Sequence, residues 1–235
     1  MENIQDQKMF IRRTGAVSAY LAIIVGILEI SINFLPAGRI SPASVQDWVR
    51  LFQNNWFIGL RDLGLLNIVL TILGILVTFS IYEVTREEDN SFATLALIAA
   101  VLGGAVYIGT NKALAMMELS RQYIQASTDL QRNSLIAVGQ TFLLEGTAHT
   151  PGTFSGLALN ELALVLASFA VIRSKKFGRG IAIAGMIGFG ALLVNEIIQV
   201  ALPTMNALGL LIAMVGGIIS MIWYFLIAQS LLRAR

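Results

Sequence analysis

The chain reads as an all-α integral membrane protein, a bundle of six transmembrane helices with short amphipathic helices in its two long outer loops. Three observations predict this. Hydrophobic residues make up 56% of the 235 residues and charged residues only 13%, where a soluble domain has about a quarter charged. Six apolar runs, at about 15–35, 58–82, 92–117, 153–172, 181–202 and 207–227, each approach or exceed the ~20 residues a helix needs to cross a bilayer. Basic residues crowd into alternate connections, as they do in membrane proteins of fixed orientation.

Composition also removes whole classes of chemistry. There is no Cys, so disulfides, thiolate metal sites and Cys-ligated clusters are excluded. The only His is His149, which excludes a two-histidine metal site or bis-histidine haem. The net charge is +2 with no basic patch interleaved with aromatics, so nucleic acid is not an expected partner. Nucleophile-elbow, zinc-protease and phosphate-loop motifs are absent. The expectation is no cofactor, no metal and no catalytic residue, with the lipid bilayer as the first partner.

The first span, 15–35, follows a polar start that ends in Arg12-Arg13. It is too long for a cleaved signal and is expected to be retained. It carries Glu29 and Asn33, four apart and so on one face, and stops at Pro36. Ser41-Pro42 then reads as a cap with Pro at the first helical position. Val45, Trp48, Val49 and Phe52 recur at helical spacing, which predicts an amphipathic helix lying on the membrane surface or on the top of the bundle. Trp56 and Phe57 lead into the second span, 58–82, which opens with Arg61-Asp62 and carries Asn67. Arg61 reads as a cation snorkelling at the interface.

A charged turn, Glu83–Asn90, precedes the third span, 92–117, which contains Tyr107, Asn111 and Lys112. Glu118–Ser127 continues it beyond the membrane, and Thr128 through Gln131 has capping-box spacing for a further helix ending near Gly146. His149, close to Pro151, reads as a loop residue rather than a ligand. The fourth span, 153–172, contains Asn160-Glu161, and Arg173, Lys175, Lys176 and Arg179 follow it. The fifth, 181–202, places Asn195, Glu196 and Gln199 on the face that also carries Gly185 and Gly188. The sixth, 207–227, has no ionisable residue at mid-depth, and Trp223 and Tyr224 near its end read as interfacial aromatics.

Lys8, Arg12, Arg13, Arg86, Arg173, Lys175, Lys176, Arg179, Arg233 and Arg235 fall on one side of six spans, against Arg39, Arg50, Arg121 and Arg132 on the other. Both termini are therefore expected in the cytoplasm of a plasma (inner) membrane protein, with the loops at 37–56 and 119–150 facing out.

Depth sharpens the picture. At ~1.5 Å per residue, Glu29 lies ~22 Å from the cytoplasmic end of its helix, Glu196 ~23 Å and Glu161 ~18 Å. Asp62 and Lys112 lie ~31 Å up, against a hydrocarbon core ~30 Å thick. The outer half thus holds Glu29, Arg61, Asp62, Lys112, Glu161 and Glu196, accompanied by Asn33, Asn67, Asn111, Asn160, Asn195 and Gln199, while the inner half has no charge. Carboxyls outnumber cations there, so the cluster should hold a proton, water or a bound cation. The bland alternative is hydrogen bonding that only ties helices together. No proline falls at mid-depth, which argues against the broken helices of ion-coupled transporters.

The start RRTGAVSAYLAIIVGI, the long first outer loop, the second outer loop after a Gly-containing third span, and the entry at Trp56–Asp62 resemble a bacterial family of six-helix membrane proteins described only as a domain of unknown function. The resemblance covers nearly the whole chain and implies the fold without an activity. The expected function is binding or sensing of a small polar or cationic ligand, with permeation as an extension, in an outward-open pocket lined by those twelve residues. An accessory subunit docked to a membrane-protein partner is the alternative, and an intramembrane enzyme the third.

Overall fold

The computed structural model describes residues 2–33, 42–88 and 90–233, and within these the side chains of residues 2–4 and of Asn33 are not described. The regular structure of the described residues is helical: α1 (Glu2–Asn33), α2 (Val45–Asn54), α3 (Trp56–Asp62), α4 (Leu65–Thr85), α5 (Asn90–Thr110), α6 (Ala113–Gln125), α7 (Asp129–Gly146), α8 (Pro151–Arg173), α9 (Arg179–Ala201) and α10 (Asn206–Arg233). Six stretches among the described residues are long and apolar enough to cross a membrane, so this is a multi-pass membrane protein. The spanning helices are α1, α4, α5, α8, α9 and α10.

Each spanning helix packs on the next in chain order, and α10 returns to α1, so the six close into a ring with α4 also touching α8. The connections after α4, α8 and α9 are short, which makes those neighbours antiparallel. Across the two long connections Ser80 meets Ile11 while Arg61 meets Glu29, and Phe92 meets Phe169 while Tyr107 meets Gly156, so these pairs are antiparallel too. Both termini therefore lie at one end of the ring, and α2, α3, α6 and α7 form a cap at the other.

Small residues set the closest approaches. A Cβ on Gly156 of α8 would lie 2.6 Å from the Tyr107 backbone nitrogen of α5, and one on Gly188 of α9 would lie 2.8 Å from the Ser220 nitrogen of α10. Without lipid-excluding hydrophobic force between spans, backbone proximity of this kind is what packs them. Trp223 and Tyr224, expected at the interface, are instead buried with Phe189 in the terminal half of the ring. Gly185 makes room for the Trp223 indole. Large apolar side chains such as Val17, Ile24, Leu210 and Met214 stay exposed on the ring's outside, where lipid is the solvent.

The cap has its own core of Val45, Trp48, Phe52, Leu60, Met116 and Leu119. The apolar face of α2 is thus covered by α3, α6 and α7, which selects the top of the bundle over the membrane surface, the two placements expected for it. It starts at Val45, with Ser44 Oγ accepting from the Asp47 N–H at 3.2 Å, and Pro42 precedes it without helical structure. The expected stop at Pro36 and the Ser41 cap fall outside the described residues. The Thr128 capping box and the end of α7 at Gly146 match their expectations.

The second and third spans differ from expectation in one respect. Each is broken where it leaves the ring, at Leu63-Gly64 and at Asn111-Lys112. Both α4 and α5 then have 21 residues, about the thickness of the hydrocarbon core at ~1.5 Å per residue. Discontinuous helices are therefore present without any proline, and they break at the cap boundary.

Candidate functional site

The two breaks sit side by side and satisfy each other. Gly64 turns the chain with φ 94°, a left-handed conformation that glycine adopts without steric penalty. The Leu63 carbonyl accepts from Asn111 Nδ2 at 2.8 Å, and the Gly64 carbonyl from the Tyr107 hydroxyl at 3.3 Å. Asn111 Oδ1 caps α6 through the Ala113 N–H at 2.9 Å, and the Lys112 N–H donates to the Gly146 carbonyl at 3.1 Å. Asn67 and Asn111 both hydrogen-bond the Tyr107 hydroxyl. Backbone freed by a broken span must be paired within the protein, and this net of amides and a phenol does so.

Beside the net lies an ionic trio. Arg61 donates to Glu29 Oε1 and to the Glu29 carbonyl, both at 2.9 Å, and to Asp62 Oδ1 at 2.7 Å. Its side chain is only 6% exposed, so the snorkelling expectation is corrected: Arg61 is a buried clamp between the cap and α1. A forked guanidinium suits this better than an ammonium, because its donors reach two carboxylates at fixed angles.

The third group is the most unusual. Glu196 on α9 is 4% exposed, and its Oε1 lies 2.6 Å from His149 Nδ1. Its other oxygen is buried without a hydrogen-bond partner. Glu161 on α8 likewise buries Oε2 without one, and it lies within electrostatic reach of Glu196. Glu29 in turn interacts electrostatically with His149, which links this group to the trio. His149 has φ 62°, and among the described residues no other non-glycine has positive φ. Its strained backbone is held between two bonded neighbours: Thr147 O accepts from the hydroxyls of Thr150 (2.7 Å) and Thr153 (2.8 Å). Strain of this kind persists only when its surroundings fix it, and it concentrates at functional sites.

The remaining expected residues are distributed as follows. Asn160 ties α8 to α4 by donating to Thr71 Oγ1 at 3.2 Å. Asn195 accepts from Gln199 at 3.3 Å and packs towards Gly209 of α10. Lys112 lays its stem along Gly146 at the cap boundary; among the described residues the guanidinium of Arg61 bonds Glu29 and Asp62, and the imidazole of His149 bonds Glu196. Asn33 ends α1, and its side chain is outside the described atoms. Expectation missed Tyr107 and His149. Tyr107 looked like one more aromatic in an apolar span. His149 carried one faint signal: a buried Glu196 needs a donor, and few were left unassigned near that depth.

What the arrangement offers is a pair of buried carboxyls towards the cap end of the bundle, an imidazole connecting it to the cap, and an amide-lined boundary above. A family model described as Domain of unknown function (DUF4386) matches residues 14–228. No curated protein and no solved structure matches the chain.

Proposed function

The chain belongs to the DUF4386 family, a domain of unknown function, and from the site alone we propose that the protein binds a small cationic ligand between Glu161, Glu196 and Glu29 at the cap end of the bundle. The observation that carries this is the unpartnered, buried Oε2 of Glu196, within electrostatic reach of Glu161, whose own Oε2 is also buried without a hydrogen-bond partner. Burying a carboxylate without a counter-ion is expensive, and intramembrane carboxyls of this kind mark ligand or ion sites. The test is thermal unfolding in detergent with a series of small ammonium, guanidinium and alkali-metal ions. A bound cation should stabilise in proportion to the logarithm of its concentration above its Kd, by about 2.7 kcal/mol at a hundredfold excess. Glu196→Gln should remain folded and lose the effect. Identical curves with and without every cation would reject the proposal.

The proposed placement is a plasma membrane of a bacterial cell with the cap outside and both termini in the cytoplasm. The support is the basic residues at the terminal end, Arg12, Arg13, Arg173, Lys175, Lys176 and Arg179 among them. Single cysteines introduced into this cysteine-free chain report the side directly. A cysteine at 175 should label only from inside, and one at 131 only from outside.

A second reading, as an accessory subunit of a membrane complex, draws on apolar side chains exposed on the cap. Leu130 is 78% and Leu144 72% exposed on α7, and exposed apolar patches mark contact surfaces.

A further inference from the structure

We propose that the Glu161–Glu196 pair is a proton-binding site loaded from the cap end through His149, so that a cationic ligand enters by exchange for a proton. The exchange step rests on the ligand site proposed above; the proton site rests on the geometry alone.

His149 is placed as an entry group. Its ring is 44% exposed while Nδ1 lies 2.6 Å from a carboxylate oxygen that is itself buried. One edge of the imidazole therefore meets solvent and the other meets Glu196. His149 sits in a left-handed turn, and the bond from Nδ1 to Glu196 fixes the ring. In the transfer, Nε2 takes a proton from solvent and Nδ1–H passes its own to Glu196 Oε1. The ring ends neutral, as the opposite tautomer, and the carboxyl ends neutral. No electrons move and no co-reactant is needed. Imidazole is the side chain best matched to this at physiological pH.

The groups around the pair determine whether a proton stays. From the α7–α8 loop comes His149, and from α1 comes Glu29, itself bonded to Arg61. Arg61 and Asp62 arrive from α3, Tyr107 from α5 and Tyr224 from α10. At this level α4 offers Asn67 and Thr71, which do not titrate, and Lys112 lies at the cap boundary. Arg61 is shared between Glu29 and Asp62. Among the described residues the group bonded to the Glu161–Glu196 pair is the His149 imidazole, on Glu196. Two buried carboxyls within electrostatic reach of each other repel when both are charged, so a low-dielectric site favours a cation that joins them. A proton is the smallest such cation; it arrives at Glu196 Oε1, and the unpartnered Oε2 atoms of both residues are the other acceptors on the pair.

Infrared spectroscopy of the protein in lipid vesicles tests this at near-neutral pH. Wild type should show the carbonyl band of a protonated carboxyl. The band should shift when the glutamates carry carbon-13, which separates them from aspartate, and it should vanish in the folded Glu161→Gln/Glu196→Gln double variant. His149→Gln should keep the band but slow its exchange on transfer to heavy water by roughly a hundredfold, the scale of a lost proton-transfer group. Absence of the band in wild type, or its persistence in the folded double variant, overturns the site. Unchanged exchange in His149→Gln overturns the entry route. The wild-type, labelled and His149→Gln measurements keep both carboxyls, so they decide even if the double variant misfolds. The band without cation-induced stabilisation would leave the proton site and remove the ligand; stabilisation without the band would do the reverse.

Discussion

Two residues with positive φ set the geometry of the cap boundary, and they differ in what substitution does. At Gly64 the turn at φ 94° is also crowded, because an added Cβ would meet the Tyr107 hydroxyl. Gly64→Ala should therefore cost about 1–2 kcal/mol from the left-handed backbone alone. It should cost more as Tyr107 is pushed off the Gly64 carbonyl, read as a lower thermal midpoint in detergent. At His149 the backbone is equally unusual, and Asn tolerates it, so His149→Asn should keep the turn and lower the thermal midpoint only through the lost bond to buried Glu196, about 1–3 kcal/mol. This pair of positions also shows why the site was only partly legible. Glu29, Glu161 and Glu196 are conspicuous because each interrupts an apolar run. His149 sits in a polar loop 47 residues from its partner, and nothing in its local sequence announces a bond to mid-membrane. Arg61 next to Asp62 looks like an exposed pair until the cap folds over it.

At the scale of elements, the cap helices were visible as amphipathic segments but their destination was not. A stripe of Trp48, Val49 and Phe52 fits a bilayer surface and a protein core equally well. The choice was made by α6, which leaves the ring after the Asn111-Lys112 break and brings Met116 and Leu119 onto the same stripe. Hydropathy alone merges α3 with α4 and α5 with α6, because the breaks contain no proline and only one glycine. Since Trp48 is 8% exposed in that core, Trp48→Ala should destabilise by about 3–5 kcal/mol. The loss should be confined to the cap: proteolysis should open sites in α2 and α6 while the ring stays resistant. A Trp on the lipid surface predicts the opposite, weaker membrane association with the cap intact. The same core explains why Arg61 can be buried, since α3 must be pressed against α1 before the guanidinium reaches Glu29.

The closed ring of six spans was the most legible level, because span number and alternating polarity follow from apolar length and basic residues. What sequence does not specify is how the ring is fastened at its terminal end. There the turn after α4 bonds to both neighbouring connections. Glu87 pairs with Lys8 of α1 at 3.2 Å and with Lys176 at 3.7 Å, while Glu88 accepts from the Lys175 N–H at 2.7 Å. Lys176 Nζ also donates to the Val84 carbonyl at 2.8 Å. The hydrogen bond from Lys8 and its charge hold the Glu87 carboxyl below the usual glutamate range, and hydrogen bonds from the Ser174 hydroxyl and the Lys175 N–H do the same for Glu88. A carboxyl depressed in the folded state contributes stability that is present above its unfolded pKa and lost as pH falls through the folded one. Wild type should therefore lose thermal stability as pH falls below about 4.3, the ordinary glutamate value. Glu87→Gln/Glu88→Gln should start lower and fall less over that window. Both carboxyls face water, so the difference should be small and should shrink as salt is raised.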